Sequence, residues 1–194
     1  ETRQVLSPQI AYLIDSILSD DPARHPAFGA NNSLHLDDRP AAAKTGTTNG
    51  WKDAWTIGFT PQYVTGVWVG NADNEAMDRM TGSLGAAPIW HDIMVYLHEG
   101  QPVEQFQRPE GLQEAEVCAI SGHLATPYCP NRVREVFIQG TVPTTYCTTH
   151  QMFRVNKETG KLATVYTPPE LVEERVYEIY PPEAADYVRA NEIP

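Results

Sequence analysis

Apolar positions in the first hundred residues follow two periods. Ile10, Leu13, Ile14, Ile17 and Leu18 recur at helical spacing, which predicts an amphipathic helix over residues 7–19. Ser7 is a natural N-cap and Pro8 takes the favoured first helical position. Asp20-Asp21-Pro22 ends the pattern, and residues 20–40, with Pro22, Pro26, Gly29, Asn31-Asn32 and Pro40, read as loop. From Ala41 the period falls to two. Residues 41–48 form a first strand. In the next, Trp55, Ile57 and Phe59 alternate with Ala54, Thr56 and Gly58, so one face is large and the other small. Thr60-Pro61-Gln62 turns the chain into a third strand over residues 63–70, completing an antiparallel unit. Gly58, Gly66 and Gly70 would weaken these strands unless something packs close against them. After a Gly-rich irregular stretch, Pro88 opens a second helix with Ile89, Trp90, Ile93, Met94 and Leu97 on one face. Gly100 caps it and Pro102 follows.

Past Pro102 the helical periodicity stops. Pro and Gly recur, and the clearest β-like run is Val133–Ile138. The expected fold class is α+β: an antiparallel sheet of about three strands packed with N- and C-terminal helices, followed by a small loop-rich β appendage. The expected boundaries are a main unit over 1–102, a Cys-containing appendage over 103–167 and an acidic, Pro-containing tail or linker over 168–194. A short ordered segment is expected near Leu171–Tyr180.

At 194 residues the chain can bury a sizeable core. A net charge of −11 repels phosphate backbones and anionic bilayers, so neither nucleic acid nor a membrane surface is an expected partner. No apolar run reaches the length of a membrane span. The chain starts at Glu1, which suits an excised piece of a longer protein as well as a processed one.

Lys44-Thr45-Gly46-Thr47-Thr48 is the stretch with the most chemistry. An ammonium and hydroxyls can bind a carboxylate with charge-assisted bonds. Gly46 lets a substrate approach closely, and a strand edge can pair with an extended peptide. The backbone N–H of Thr47 could serve in an oxyanion hole. Other polar groups carry less. His25, His35 and Asp37-Asp38 read as a solvated loop, because adjacent carboxylates point apart. His91 and His98 read as partly exposed helix residues, since metal ligation wants closer spacing. Cys118, Cys129, Cys147 and His150 follow the spacing C-x10-C-x17-C-x2-H. The last two are a credible half of a zinc site; the first two lack the short knuckle spacing. A disulfide, free thiols and zinc all stay open, and no metal or other cofactor is assigned.

Longer blocks sharpen the reading. Arg39-Pro40-Ala41-Ala42-Ala43-Lys44-Thr45-Gly46-Thr47-Thr48-Asn49 resembles the third active-site motif of class A penicillin-binding proteins. Asp53–Pro61, Val64–Gly70 and Gly85–Trp90 follow in the order and spacing seen at the end of the transpeptidase domain of the 1A-type bifunctional enzymes. Residues 115–165 resemble the tail that follows that domain in some members. The resemblance implies a D,D-transpeptidase that cross-links peptidoglycan stem peptides, is acylated by β-lactams and works on the extracytoplasmic face of the membrane. Its parent would carry an anchor and a glycosyltransferase domain. The resemblance makes Lys44, Thr45, Gly46 and Thr47 the catalytic motif, with Lys44, Thr45, Thr47 and Thr48 binding substrate and no cofactor. It also implies a Cys129–Cys147 disulfide, with Cys118 a small buried hydrophobe.

The chain departs from the family pattern in one large respect. It contains no Ser-x-x-Lys and no Ser-x-Asn, so it lacks the nucleophile, and the fragment is expected to be inactive alone. Unpaired strand edges then predict dimerisation or swapping. Two other readings are a non-catalytic peptidoglycan- or partner-binding module and a β-lactamase-type hydrolase. The Trp-rich strands and the tail argue against the hydrolase.

Overall fold

Ser7 caps the first helix as its sequence predicts: in the computed structural model, which describes residues 3–191, its hydroxyl accepts from the N–H of Ile10, and α1 runs Pro8–Ser19. Asp20 does not begin a loop. Its carboxylate accepts from the N–H of Ala23 and caps a second helix, α2, Asp21–Phe28, which Gly29 closes at positive φ. The loop expected over residues 20–40 therefore starts only after Phe28. Pro22 sits in the first turn, where a missing N–H costs nothing.

The predicted antiparallel unit is present. Strands β1 (Ala42–Thr47), β2 (Asp53–Phe59) and β3 (Val64–Gly70) form a sheet in the order β1-β2-β3. The register pairs Lys44 with Ile57, Gly46 with Trp55 and Trp55 with Trp68. A one-turn π-helix, Gly82–Ala86, leads directly into α3, Ala87–His98.

The burial of the sheet follows side-chain size rather than hydrophobicity. Ala54 and Thr56 are fully buried, while Trp55, Ile57 and Trp68 on the opposite face are 43%, 51% and 44% exposed. Small residues let α3 come close. A Cβ on Gly58 would lie 2.5 Å from the Trp90 ring, which is the close packing that the strand glycine requires. The first unit, bounded at Glu110, centres on Trp90, Met94, Leu34, Leu36 and Val67.

His98 corrects the expectation of exposure: it is 4% exposed. Its Nδ1 lies 2.7 Å from the Met94 carbonyl and its Nε2 2.9 Å from the Thr60 hydroxyl. A carbonyl only accepts, so the ring donates from Nδ1, and the Thr60 hydroxyl partners Nε2. The solvated-loop reading of Asp38 also needs amending, because that carboxylate accepts two bonds from the guanidinium of buried Arg39.

The second unit begins at Gly111 and is built from two hairpin-like pairs. Strand β4 (Leu112–Cys118) pairs with β5 (Arg132–Ile138), and β6 (His150–Asn156) with β7 (Val172–Glu178), both antiparallel. Strand β7 lies in the stretch expected to be tail or linker, so the boundary expected after residue 167 falls inside a paired structure. A short α4, Ala185–Ala190, follows.

Candidate functional site

Strand β1 is an edge strand. Among the described residues no other strand pairs with its outer side. The N–H of Thr48 donates to the Asp53 carbonyl across the β1–β2 ladder. Because N–H groups alternate along a strand, those of Thr45 and Thr47 point the other way, to the open edge. The same alternation puts Lys44 and Gly46 on the exposed face with Ile57 and Trp55.

Three devices hold this strand in place. At its end, the Thr48 hydroxyl donates to Asp53 Oδ2 at 2.9 Å and accepts from the Asp53 N–H. Asp53 Oδ1 in turn accepts from the Trp68 indole at 2.8 Å. Thr48 is thus a turn-closing residue whose hydroxyl is engaged on both sides. Behind the strand, Gly82 is gripped by two hydroxyls: its N–H donates to Thr47 Oγ1 at 3.1 Å and its carbonyl accepts from Thr56 Oγ1 at 3.2 Å. The Thr47 hydroxyl accepts there, which leaves its proton free to donate outward. Third, a Cβ on Gly82 would lie 2.4 Å from the Trp55 carbonyl and 2.6 Å from that of Gly46. Sequence reasoning passed over Gly82; its only signal was a glycine-rich stretch just ahead of the Pro88 helix. The Lys44 ammonium is exposed and donates to the Thr45 carbonyl at 2.6 Å.

A second cluster lies in the other unit. Cys118, Cys129, Cys147 and His150 are all buried, with ligand atoms within 4.8 Å of one another. The structure holds all three cysteines side by side as thiols, and the Cys129–Cys147 pair that the family resemblance implies stays an expectation. His150 Nδ1 lies 3.4 Å from Cys118 Sγ and 3.5 Å from Cys147 Sγ. The spacing rule missed this convergence because strand pairing, not a knuckle, produces it. Leu124 bridges to Val117 on one side and to Tyr146 on the other, which draws Cys118 and Cys147 together. Cys129 arrives through the turn Thr126–Cys129 and the Arg132–Cys118 pairing.

Burial pushes all three thiols up, and local donors then separate them. At Cys147 burial is outweighed by the Ser121 hydroxyl and by the backbone and ring of His150, which bring it to about 5. At Cys118 burial is outweighed by the backbone N–H groups of Ser121 and Ile120. Burial wins at Cys129, which is raised. The Cys147 sulfur raises the His150 imidazole against its burial.

The open edge of β1 carries Lys-Thr-Gly-Thr, and Lys-Thr-Gly is one of the motifs of the serine penicillin-recognising enzymes. Comparison with known proteins is consistent in both units. Residues 108–152 match the family model described as "Penicillin-binding protein 1A, C-terminal domain". Penicillin-binding protein 1A of Clostridium botulinum (strain Langeland) is 36% identical over 182 residues, covering 91% of this chain and 22% of the relative. That of Aquifex aeolicus is 40% identical over 111 residues, covering 57% of this chain and 15% of the relative. The crystal structure of penicillin-binding protein 1A from Haemophilus influenzae superposes with a TM-score of 0.59 at 29% identity, covering 73% of this chain and 22% of that one. The chain belongs to the penicillin-binding protein 1A family, and it spans about a fifth of the length of these relatives. Among the described residues, no helix is long and apolar enough to cross a membrane.

Proposed function

We propose that this chain is the C-terminal part of a D,D-transpeptidase domain that cross-links peptidoglycan stem peptides through a serine acyl-enzyme, with β1 as its substrate-binding strand. The observation that carries this is the open edge of β1, with the N–H groups of Thr45 and Thr47 facing outward beside Lys44. An extended stem peptide, or a β-lactam in its place, adds along that edge as a further strand. The Lys44 ammonium and the hydroxyls of Thr45 and Thr47 take the substrate carboxylate. The Thr47 N–H supplies one donor to the oxyanion that forms during acylation. Gly46 keeps the approach clear of a Cβ. Thr48 contributes by fixing the end of the strand through Asp53.

The nucleophile and its base come from outside this chain, which holds no Ser-x-x-Lys. The exposed face bearing Lys44, Trp55, Ile57 and Trp68, and the exposed stripe of Ile10, Ile14 and Ile17 on α1, are the surfaces that the rest of such a domain would cover. Without it they favour dimers or swapped assemblies. Activity on the extracytoplasmic face, an anchor and a glycosyltransferase domain belong to the parent.

Fluorescent penicillin tests the reading. The expected outcome is covalent label on the longer parent, none on this chain, and acylation slowed about 100-fold or more by Lys44→Ala in the parent. Serine-linked label on the chain alone, or an unaffected Lys44→Ala parent, would overturn it.

A further inference from the structure

We propose that Cys118, Cys129, Cys147 and His150 bind one zinc ion in a closed tetrahedral Cys3His site that holds the second unit together. The case is geometric. Four side chains from the end of β4, the turn before β5, the loop before β6 and the first residue of β6 meet at one buried point, their ligand atoms all within 4.8 Å of one another. Zinc bonds of about 2.3 Å to sulfur and about 2.0–2.1 Å to nitrogen require ligand separations of about 3.5–3.8 Å. The two sulfur–imidazole separations, 3.4 and 3.5 Å, already match that edge. Three thiolates and an imidazole form a soft, nitrogen-and-sulfur donor set that suits zinc rather than calcium or magnesium.

The surroundings also fit. His150 Nδ1 faces the sulfurs, while its Nε2 is buried without a hydrogen-bond partner and lies 3.5 Å from Glu178 Oε1, its cross-strand neighbour. Metal at Nδ1 fixes the proton on Nε2 and turns that orphan into a donor to the carboxylate, the usual outer partner of a zinc-bound histidine. Glu178 is itself held by the Tyr180 hydroxyl at 2.6 Å. The Thr126 N–H donates to Cys129 Sγ at 3.3 Å, which stabilises a thiolate there.

A disulfide explains less. One S–S bond would consume two sulfurs and leave a third thiol and the imidazole buried without use, whereas zinc engages all four groups. It also answers a stability need. The buried cluster of this unit consists of the three cysteines themselves, and a domain with so small a core needs a staple. Four protein ligands leave no open position, so the site is structural rather than catalytic.

The 194-residue chain, purified under reducing conditions with zinc in the medium, provides the test. Native mass spectrometry should give one zinc per chain. Zinc-edge X-ray absorption should show three sulfur neighbours and one nitrogen, a result that needs no variant to fold. Cys118→Ser and His150→Gln should each lose stoichiometric zinc. Glu178→Gln should keep the same ligand shell and weaken affinity by about 10–100-fold. A metal-free chain two hydrogens lighter under non-reducing conditions would overturn the proposal in favour of a disulfide. Metal-free reduced thiols in zinc-replete protein, or an oxygen-dominated zinc shell, would overturn it as well.

Discussion

The two units of this chain solve the same problem with different materials. The first packs Trp90, Met94, Leu34 and Leu36 against a sheet whose inner face carries Val67 among mostly small side chains. Its stability is a matter of apolar area removed from water. The second unit has Val117 and Val155 buried, but its central cluster is three sulfurs with an imidazole against them. Two strand pairs cannot by themselves enclose enough apolar surface to offset chain entropy. The comparison teaches that the first unit is specified by shape and the second by coordination chemistry.

The largest effects should come from attacking each unit by its own means. Trp51, Trp55, Trp68 and Trp90 all lie in the first unit, so tryptophan emission reports that unit alone. Trp90→Ala should cost about 3–5 kcal/mol in urea unfolding followed by this emission, with zinc still bound at one per chain. A strong chelator should do the reverse: melt β4–β7, read as lost amide protection, and leave the tryptophan midpoint unmoved. If chelation shifted the tryptophan transition too, the division into two energetic units would fail.

Much of the first unit could be read in advance because local rules and tertiary packing agree there. Ser7, Pro8 and the spacing Ile10-Leu13-Ile14-Ile17 specify α1, and alternation specifies β2 and its hairpin with β3. Alternation could not say which face of β2 is buried. Trp55 and Ile57 lie outside because only Gly58, Thr56 and Ala54 leave room for Trp90 and Gly82. Helix α2 was hidden by Pro22 and Pro26, one harmless in a first turn and the other tolerated in an eight-residue helix. Strand β7, Val-Glu-Glu-Arg-Val-Tyr-Glu, falls in the segment expected near Leu171–Tyr180, but its charge hid its strand character; pairing with β6, not burial, makes it a strand. At the candidate sites, Lys44 to Thr47 stood out by motif, whereas the grip of Gly82 on that strand and the convergence of the cysteines depend on residues far apart in sequence.

Gly82 gives an intermediate effect that links packing to the site. A methyl group there meets the carbonyl oxygens of Trp55 and Gly46, both backbone atoms that cannot swing aside. Gly82→Ala should cost the first unit about 1–3 kcal/mol in urea unfolding. It should also slow penicillin acylation of the parent although Lys44 and Thr45 are intact, because β1 must shift away from the π-turn. A destabilised variant that acylates at the normal rate would show that the strand's position does not depend on this contact.

The smallest effect concerns a charge rather than a packing contact. Burial pushes the Asp21 carboxyl up, but hydrogen bonds from Asn32 and His25 and the charges of His35 and Arg24 outweigh it, and its pKa falls below the ordinary 3.8. Arg24 lies 3.5 Å from Oδ1, and His25 and His35 lie 3.0 and 3.5 Å from Oδ2. The unfolded chain therefore binds a proton more readily than the folded one, so this contribution is fully present above 3.8 and is lost as pH falls through the depressed folded value. Asp21→Asn should cost about 0.2–1 kcal/mol at neutral pH, and the gap between wild type and variant should close on acidification through that window. Tryptophan-detected urea midpoints across pH measure it. Because Asp21 lies in the first unit, the zinc content of the second should not respond to the substitution, and a gap that widened in acid would reverse the assigned sign.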